Sequence, residues 1–429
     1  MGGVPQRGWN SVTVPGVVLM WSDLSRRAGR LPFESLFTPA IKMARSGFVV
    51  SSKLAERWAV QVDELADQAG FAQAFMPGGR GPKPNDVFSN PPLADTLEQI
   101  ATSHGTSFYE GALANKIIDH CLRHGGAMSL DDLARHRTTW SGTISFSFAG
   151  RQIHEAPLNS QGVVVPMTLG IFSHLGALTR GADTLDSIHF QIEAFKLATA
   201  DIARHAGMSP QSAVTAEELL DPSYQESRAA LVGDRAQMFG PGLPMGRGTV
   251  VVVAADSGGK AITLLQSNYA GFGSGVVVAD TGISMHNRGA CFANTISHPN
   301  APGPGRKPLH TLLPAMVLNE GKLEFCLGVT GGNMQPQGQI QVLLRMLLDG
   351  AAPLSAIDAP RYRHASGLSI NLEPDFPDNV RAGLIGRGHQ VAPIQLGYMD
   401  FGSAQVIRRK GDHWEASSDD RKDGAAIAA

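Results

Sequence analysis

The chain has 429 residues, of which 17% are charged and 43% hydrophobic, and its formal net charge is −2. This balance excludes global disorder and provides no overall positive field that would attract nucleic acid or an anionic membrane. Three cysteines, Cys121, Cys291 and Cys326, are too few for a disulfide framework and indicate a reducing compartment. The N-terminus lacks a charged-then-apolar leader and no apolar run is long enough for a membrane span, so we expect a cytoplasmic protein, with a periplasmic one as the alternative.

The first half of the chain shows mainly helical spacing of apolar residues. Ser129, with Asp132 three residues later, has the pattern of a capping box at the start of a helix. A short β-rich passage, Thr143 to Ile153, interrupts the helices. The predicted helices are Leu36–Ala44, Ser52–Phe75, Leu93–Ser103, Glu110–Arg123 and Ser187–His205.

Strand signals dominate from Thr249 onward. Two apolar runs, Thr249–Ala255 and Lys260–Gln266, flank the turn sequence Asp256–Gly259 and predict a buried hairpin. The glycine- and proline-rich stretch 233–248 predicts a flexible, exposed linker that enters the first strand directly. Further strands are predicted at Leu312–Leu318 and Leu323–Val329, and a helix at Gln337–Asp349.

Two motifs allow both a functional and an ordinary interpretation. His120 and His124 have the i, i+4 spacing of a metal site, but no third ligand is indicated, so a packed or surface pair is favoured. The glycines of Gly271–Gly275 could form a phosphate loop, yet three valines follow where such a loop needs a helix. A tight backbone turn is therefore the preferred interpretation.

Thr249 is the strongest candidate for a nucleophile. A threonine hydroxyl needs an adjacent base, and the α-amino group of an N-terminal threonine can serve as one. Cutting the Gly248–Thr249 bond would expose that amine, and Gly248 has no side chain to block attack on its carbonyl. An ordinary strand start is the alternative. Gly331 and Gly332 follow a predicted strand and could form either an oxyanion hole or a plain turn.

Many short blocks of recognisable sequence follow one another along the chain. The first-half blocks are Val14–Gly16, Gly29–Pro32, Leu36–Phe37, Pro39–Ile41, Ala44–Phe48, Asn90–Leu97, Gly105–Gly111, Pro157–Ser160 and Glu193–Lys196. The second-half blocks are Thr249 with Asp256, Gly259 and Ala261, then Ser267–Gly275, Asn287–Ala290, His298–Asn300, Pro308–Thr311, Thr330–Gly332, Asp358–Arg361 and Asp419–Gly424. In this order they resemble the γ-glutamyltranspeptidase family of N-terminal-nucleophile hydrolases. The similarity runs almost end to end, which makes it more specific than any single block.

The resemblance implies a role for each matching residue. Thr249 would attack the Gly248 carbonyl to cut the chain and would then act as the catalytic nucleophile, with its freed amine as the base. Gly331 and Gly332 match the oxyanion-hole glycines, and Ser267 matches a hydroxyl residue that supports the nucleophile. The positions that match the family's substrate-lining residues are Asn268, Arg288, His310 and Thr311.

The resemblance also implies an architecture. We expect an α+β fold, a four-layer αββα sandwich made as one precursor. Residues 1–248 would be the helix-rich large-subunit portion and residues 249–429 the β-rich small subunit, and the pair could associate further as a dimer. No metal, organic cofactor, nucleic acid or membrane partner is implied.

The matching stretch departs from the family at the substrate site. Typical members have an N-Q-x-D-D-F sequence, whereas here Ala290 and Cys291 replace both acids. A buried substrate ammonium would lose its charge partner, at a cost on the order of several kcal/mol, which disfavours glutathione-like donors. His310 and Thr311 replace the family's paired serines. Arg288 and His310 instead suggest an acidic acyl group without the amino group, a pattern similar to the branch of glutaryl-cephalosporin acylases and oxamate amidohydrolases.

The sequence therefore predicts a self-processing enzyme that cleaves a γ-glutamyl or similar acidic acyl amide through an acyl-threonine intermediate. An amidohydrolase of the glutaryl-cephalosporin acylase or oxamate type is one alternative. The family's N-terminal G-G-N-A-x-D-A-A helix, and the arginine that clamps the donor carboxylate, are not found before Val14. A truncated, non-catalytic paralogue is accordingly the second alternative.

Overall fold

The computed structural model describes residues 3–208, 212, 214–239, 249–394 and 401–428. They form two compact units: one comprises residues up to 140 together with 268–290, and the other comprises 141–267 together with 291 onward. These units are defined by which residues pack together. The predicted boundary at 248/249 is a different one, because it separates two subunits made by cutting the chain, and it stays a prediction.

The first unit is mainly helical. Buried side chains of its glycine-rich loop, such as Val276 and Met285, share a core with the buried Leu113 and Ile117. The elements are α1 (Val17–Ala28), α2 (Thr38–Ser46), β1 (Phe48–Val49), α3 (Ser52–Leu65), α4 (Phe71–Phe75), β2 (Val87–Phe88), α5 (Pro91–Thr102), α6 (Thr106–Glu110), α7 (Ala112–Arg123) and α8 (Leu130–Ala134).

Backbone chemistry explains where these helices begin and end. The capping box is confirmed: Ser129 Oγ accepts from Asp132 N, and the Asp132 carboxylate accepts from Ser129 N. The single helix predicted over 52–75 is wrong, because α3 ends at Leu65 and α4 begins after Gly70. Gly70 has φ +79°, and a Cβ there would lie 2.1 Å from the Val277 carbonyl oxygen, so the glycine permits both the turn and the close approach.

His120 is buried in α7, whereas His124 follows the last residue of that helix and is exposed. The His120 Nδ1 atom accepts a hydrogen bond of 3.2 Å from Trp9 Nε1, and its ring lies 4.4 Å from that of His124. Burial lowers the pKa of His120 to about 4. These contacts support the ordinary interpretation, with His120 packed in the core and His124 at the surface. Cys121, Cys291 and Cys326 are free thiols.

The second unit carries most of the strands. Its elements are β3 (Ile144–Phe148), β4 (Arg151–Glu155), α9 (Val164–His174), α10 (Leu185–His205), α11 (Ala216–Leu219), α12 (Pro222–Ala229), β5 (Val250–Ala255), β6 (Ala261–Gln266), β7 (Ala315–Asn319), β8 (Lys322–Val329), α13 (Met334–Leu347), α14 (Pro353–Asp358), β9 (Tyr362–Ser366), β10 (Ser369–Leu372), α15 (Asp378–Gly386), β11 (Gln390–Val391), β12 (Ala404–Lys410) and β13 (His413–Ser418).

A six-stranded antiparallel sheet of order β13-β12-β8-β7-β4-β3 is the centre of this unit. Helices α9 and α13 pack on one face, where Leu327 and Val329 of β8 join the main core. The β5-β6 hairpin packs on the other face, against β8 and β12. Gly328 permits that contact, because a Cβ there would lie only 2.7 Å from Val251 Cγ1. The predicted α+β class is confirmed.

The hairpin is confirmed, but it is buried on one face only, whereas the sequence predicted a buried hairpin. Val251 is buried against the sheet, whereas Val250 and Val252 are 55% and 48% exposed. Successive side chains of a strand point to opposite faces, and only one face of β5 meets the six-stranded sheet.

The predicted linker lies partly outside the described residues, namely at 240–248. Its described part is largely exposed but anchored to α10. The Gly233 carbonyl accepts from His189 Nε2, the Gln237 N–H donates to the Glu193 carboxylate, and the Gln237 carbonyl accepts from Lys196 Nζ at 2.6 Å. None of the described helices is both long and apolar enough to cross a bilayer.

Candidate active site

The hairpin places the Thr249 and Ser267 side chains beside each other. Thr249 precedes β5 and Ser267 follows β6, and the antiparallel register pairs Val250 with Gln266. The Thr249 hydroxyl donates to Ser267 Oγ over 3.2 Å. Two residues that are 18 apart in sequence therefore meet because a tight hairpin joins them, as their assignment to one site requires.

Gly331 and Gly332 form the sharp turn between β8 and α13. Their φ values of +106° and +58° lie in the region that favours glycine. The Gly331 and Gly332 carbonyls accept from the backbone N–H groups of Met334 and Gln335, both at 3.0 Å, which starts the helix. Within the described ranges no backbone acceptor is bonded to either glycine N–H, and the assignment of both as oxyanion donors stays a prediction.

Gln335, in the first turn of α13, is a candidate site residue that the sequence did not predict. It is fully buried. Its Nε2 atom donates to Thr249 Oγ1 over 3.0 Å and to Thr311 Oγ1 over 3.3 Å, while its Oε1 atom has no partner among the described residues. One carboxamide thus links the candidate nucleophile to a predicted substrate-lining hydroxyl.

The segment containing His310 and Thr311 lies against residues 159–161. The His310 N–H donates to the Asn159 carbonyl and its carbonyl accepts from Gln161 N, both at 2.8 Å. The Gln161 side chain in turn donates to Asn333 Oδ1 over 3.2 Å. These bonds fix His310 and Thr311 near the turn that begins α13.

A cation lies at the end of β8. Lys422 Nζ donates to Thr330 Oγ1 over 2.6 Å, and the Ser403 N–H donates to the same oxygen over 2.9 Å. Thr330 directly precedes the Gly331–Gly332 turn. The C-terminal segment therefore contributes a positive charge next to the candidate oxyanion site.

Asn268 and Arg288 belong to the first unit. The Asn268 carbonyl accepts from Asn287 N, and the Arg288 guanidinium lies 4.7 Å above the Tyr269 ring. Burial, and then the Arg288 charge, lower the pKa of His286 to about 4. The assignment of Asn268 and Arg288 as substrate-binding residues stays a prediction.

Two clusters in the described part of the chain bring three potential metal ligands within 4.8 Å: His189, Glu193 and His389, and Asp358, Asp419 and Asp420. Lys196 pairs with Glu193 in the first cluster, and His189 bonds to His389 over 2.9 Å. In the second, Asp419 pairs with the guanidinium groups of Arg361 and Arg421. Internal partners thus already occupy the central carboxylate of each cluster.

The sequence profile of the γ-glutamyltranspeptidase family matches residues 2–429. The chain belongs to this family. Among curated relatives, the glutathione hydrolase-like YwrD proenzyme of Bacillus subtilis is 33% identical over 99% of this chain and 82% of its own length. The oxamate amidohydrolase proenzyme of Klebsiella pneumoniae is also 33% identical, over 99% of this chain and 82% of its own.

Among solved structures, cephalosporin acylase from Bacillus halodurans superposes with a TM-score of 0.92 at 36% identity, covering 99% of this chain and 79% of that one. This likeness confirms the predicted N-terminal-nucleophile hydrolase fold. The chain is thus a member of a hydrolase family. The two curated relatives named above are proenzymes, that is, they are made as precursors.

Gln335, Gln161 and Lys422 were not predicted as site residues. A local signal exists for Gln335: glutamines at 335, 337, 339 and 341 give an unusually polar start to a helix that is otherwise apolar and buried. Buried polar side chains need partners, so that run indicates specific bonds. Nothing in the spacing indicates which of the four would meet Thr249.

Proposed function

We propose that this protein is a self-processing amide hydrolase with Thr249 as its nucleophile. The observation that carries the proposal is the environment of the Thr249 hydroxyl, which bonds to Ser267 and Gln335 in the same unit as the Gly331–Gly332 turn. A nucleophile, a polar support and two oxyanion donors are what acyl transfer to a hydroxyl needs.

The chemistry has two stages. In the precursor, Thr249 Oγ attacks the Gly248 carbonyl carbon, the acyl group moves from the Thr249 nitrogen to Oγ, and the hydroxyl proton passes to the nitrogen, which becomes the free amine. Water then hydrolyses the ester and releases the Thr249 hydroxyl and the Gly248 carboxylate. In catalysis that amine takes the hydroxyl proton, Oγ attacks the substrate carbonyl, and the protonated amine returns the proton to the leaving amine. Water then hydrolyses the acyl-threonine, or an acceptor amine takes the acyl group.

The proposed substrate is an amide with an acidic acyl group. Lys422 beside the Gly331–Gly332 turn supports a carboxylate on that group. A γ-glutamyl amide would also need a partner for its ammonium, and Ala290 and Cys291 remove the carboxylates that the family places there. An amidohydrolase resembling the oxamate and cephalosporin-acylase relatives is therefore the favoured version, and γ-glutamyl transfer is the other.

Intact mass tests the nucleophile. The wild-type chain of 45.4 kDa is expected to resolve into fragments of 248 and 181 residues, the smaller beginning at Thr249. Thr249→Ala should stay whole, because the next residue, Val250, has no hydroxyl that could replace the lost one. A cut in that variant would overturn the assignment. Val250 is exposed, and its replacement by alanine is the matched control, which should still be cut.

Substrate assays separate the two versions. The processed protein would be given γ-glutamyl-p-nitroanilide, glutaryl-p-nitroanilide and oxamate at equal concentrations. Preference for the glutaryl amide or oxamate supports the acylase-like version, and preference for the γ-glutamyl amide supports the other. Folded protein that is neither cut nor active would indicate a non-catalytic paralogue.

A further inference from the structure

The side-chain contacts of Gln335 differ from those of two other buried glutamines on α13. Gln337 and Gln341 bond to the backbone of β9, at His364 and Tyr362 respectively. Gln335 instead directs its Nε2 atom to two side-chain hydroxyls, those of Thr249 and Thr311. The side-chain bonds of Gln335 therefore hold side chains of the candidate site, whereas those of Gln337 and Gln341 hold α13 against β9.

The hydrogen-bond directions determine what Gln335 does for Thr249. The Thr249 hydroxyl has one proton, which it donates to Ser267 Oγ over 3.2 Å. The bond to Gln335 at 3.0 Å must therefore come from an amide N–H, with the threonine oxygen accepting. This arrangement leaves one lone pair of Oγ for attack, and the carboxamide cannot take the proton because it does not titrate.

The position of Gln335 in the fold makes the contact rigid. Its backbone N–H bonds to the Gly332 carbonyl, so one helical turn carries both the candidate oxyanion glycines and the donor to the nucleophile. Helix α13 is buried from Met334 to Met346. The distance between the nucleophile and the oxyanion turn is thereby fixed through a single side chain, which is the preorganisation that acyl transfer needs.

We propose that Gln335 is a positioning residue: its amide N–H holds Thr249 Oγ in the attacking orientation and stabilises the negative charge that develops on that oxygen. The inference rests on the proposed function, because it requires Thr249 to be the nucleophile. It concerns both stages, the cut at Gly248 and the later acyl transfer.

The first test measures self-cleavage, whose substrate is the chain itself. Freshly purified or denatured-and-refolded precursor is followed by intact mass for wild type, Gln335→Met and Gln335→Glu. Gln335→Met keeps the size of the side chain but loses the donor, and we expect it to be cut about 10- to 100-fold more slowly. In the processed enzyme kcat should fall by a similar factor, with KM changed less than about 3-fold.

Gln335→Glu adds a second measurement, the pH dependence of cleavage, which a purely structural role of Gln335 would not change. An ionised carboxylate beside Oγ can neither donate nor tolerate a developing negative charge, whereas the protonated acid can donate as the amide does. Cleavage by this variant should therefore accelerate as the pH is lowered through the titration of the introduced acid, while wild type and Gln335→Met show no such gain. Thermal unfolding at each pH separates this effect from loss of fold.

Gln341 provides the matched control. It is buried on the same helix, and its side chain bonds to the Tyr362 backbone. Gln341→Met and Gln341→Glu are expected to lower the unfolding temperature but to cut at the wild-type rate per folded molecule. Equal slowing by Gln341→Met and Gln335→Met would overturn the inference, because general damage to α13 would then explain both.

The outcomes distinguish this inference from the proposed function. If Thr249→Ala stays whole while both Gln335 variants cut at the wild-type rate, Gln335 has no positioning role and the nucleophile assignment stands. If wild type stays whole, or Thr249→Ala is cut like wild type, the proposed function fails and the inference fails with it.

Discussion

Glu155 gives a quantitative test of the core of the second unit. This carboxyl on β4 is completely buried, and Gln339 Nε2 donates to its Oε1 atom. The second oxygen of Glu155 and the Oε1 atom of Gln339 both lack partners among the described residues. A protonated Glu155 would donate to that free Gln339 oxygen, so a neutral acid and an amide would satisfy each other through two bonds. Burial raises the pKa of Glu155 well above its ordinary value, in agreement with this pairing.

The expected magnitude follows from proton linkage. A raised pKa in the folded state means that the stabilisation is complete below the unfolded pKa of about 4.5 and is lost as the pH rises through the folded pKa. In that window the free energy of unfolding falls by about 1.4 kcal/mol per pH unit for this one group. Glu155→Gln keeps the shape and both bonds and has no proton to lose. Between pH 5 and pH 6 it should therefore gain about 1 kcal/mol relative to the parent.

Urea unfolding at pH 5, 6 and 7 would measure this difference, in a Thr249→Ala background that keeps the chain in one piece. Glu217→Gln, an exposed carboxylate on α11, controls for the loss of one charge and should show no such gain. Glu155→Leu leaves the Gln339 amide unpaired and should cost about 1–3 kcal/mol. Parallel pH slopes for the parent and Glu155→Gln would show that the buried carboxyl is not held as the neutral acid.

Three further perturbations test other contacts. Gly328→Ala would place a Cβ 2.7 Å from Val251 Cγ1. The variant should therefore lose about 1–3 kcal/mol of unfolding free energy in urea, and it should cleave itself more slowly because the hairpin that carries Thr249 is displaced. Unchanged values of both quantities would refute this reasoning. Arg361→Met should cost less than the about 3–5 kcal/mol of an unpaired buried charge, because the fully buried Asp419 loses its 2.7 Å partner but keeps Arg421, and a double-mutant cycle with Asp419→Leu should recover part of the loss. Burial lowers the pKa of His389 to about 3, so the free energy of unfolding should fall as the pH drops below 6.5, and His389→Asn should flatten the curve measured by thermal unfolding.

The elements predicted correctly from the sequence are those whose conformation is determined by residues close together in the chain. The hairpin of β5 and β6 follows from two apolar runs and a four-residue turn, and it alone suffices to bring Thr249 to Ser267. The turn at Gly331 is also local, since paired glycines after a strand permit positive φ. The break between α3 and α4 was missed because its cause is distant: Gly70 lies against the Val277 carbonyl.

The contact between Gln335 and Thr249 joins residues 86 apart in sequence and depends on how α13 packs on the sheet. Periodicity indicates which face of a helix is buried, but not which partner meets each buried polar group. The order of the six strands likewise depends on pairings such as β4 with β7, which no turn connects. The family resemblance supplied Thr249, Ser267 and the glycines because those types recur at matching positions, and it gave no indication of a carboxamide donor.

The groups bonded to Thr249 Oγ1 are a hydroxyl and a carboxamide, and neither titrates near neutral pH. In the proposed mechanism, the proton that leaves Oγ during attack therefore has no base among these partners, and the freed α-amine of Thr249 would take it. The ordinary pKa of such an amine is about 7.7–8.0, so kcat/KM should rise with pH through that range and level off above it. The Gln335→Met variant keeps the amine and should retain this profile at a lower rate. A profile that instead rises through pH 4–5 would assign the base to a carboxylate, which would contradict the proposed use of the threonine amine.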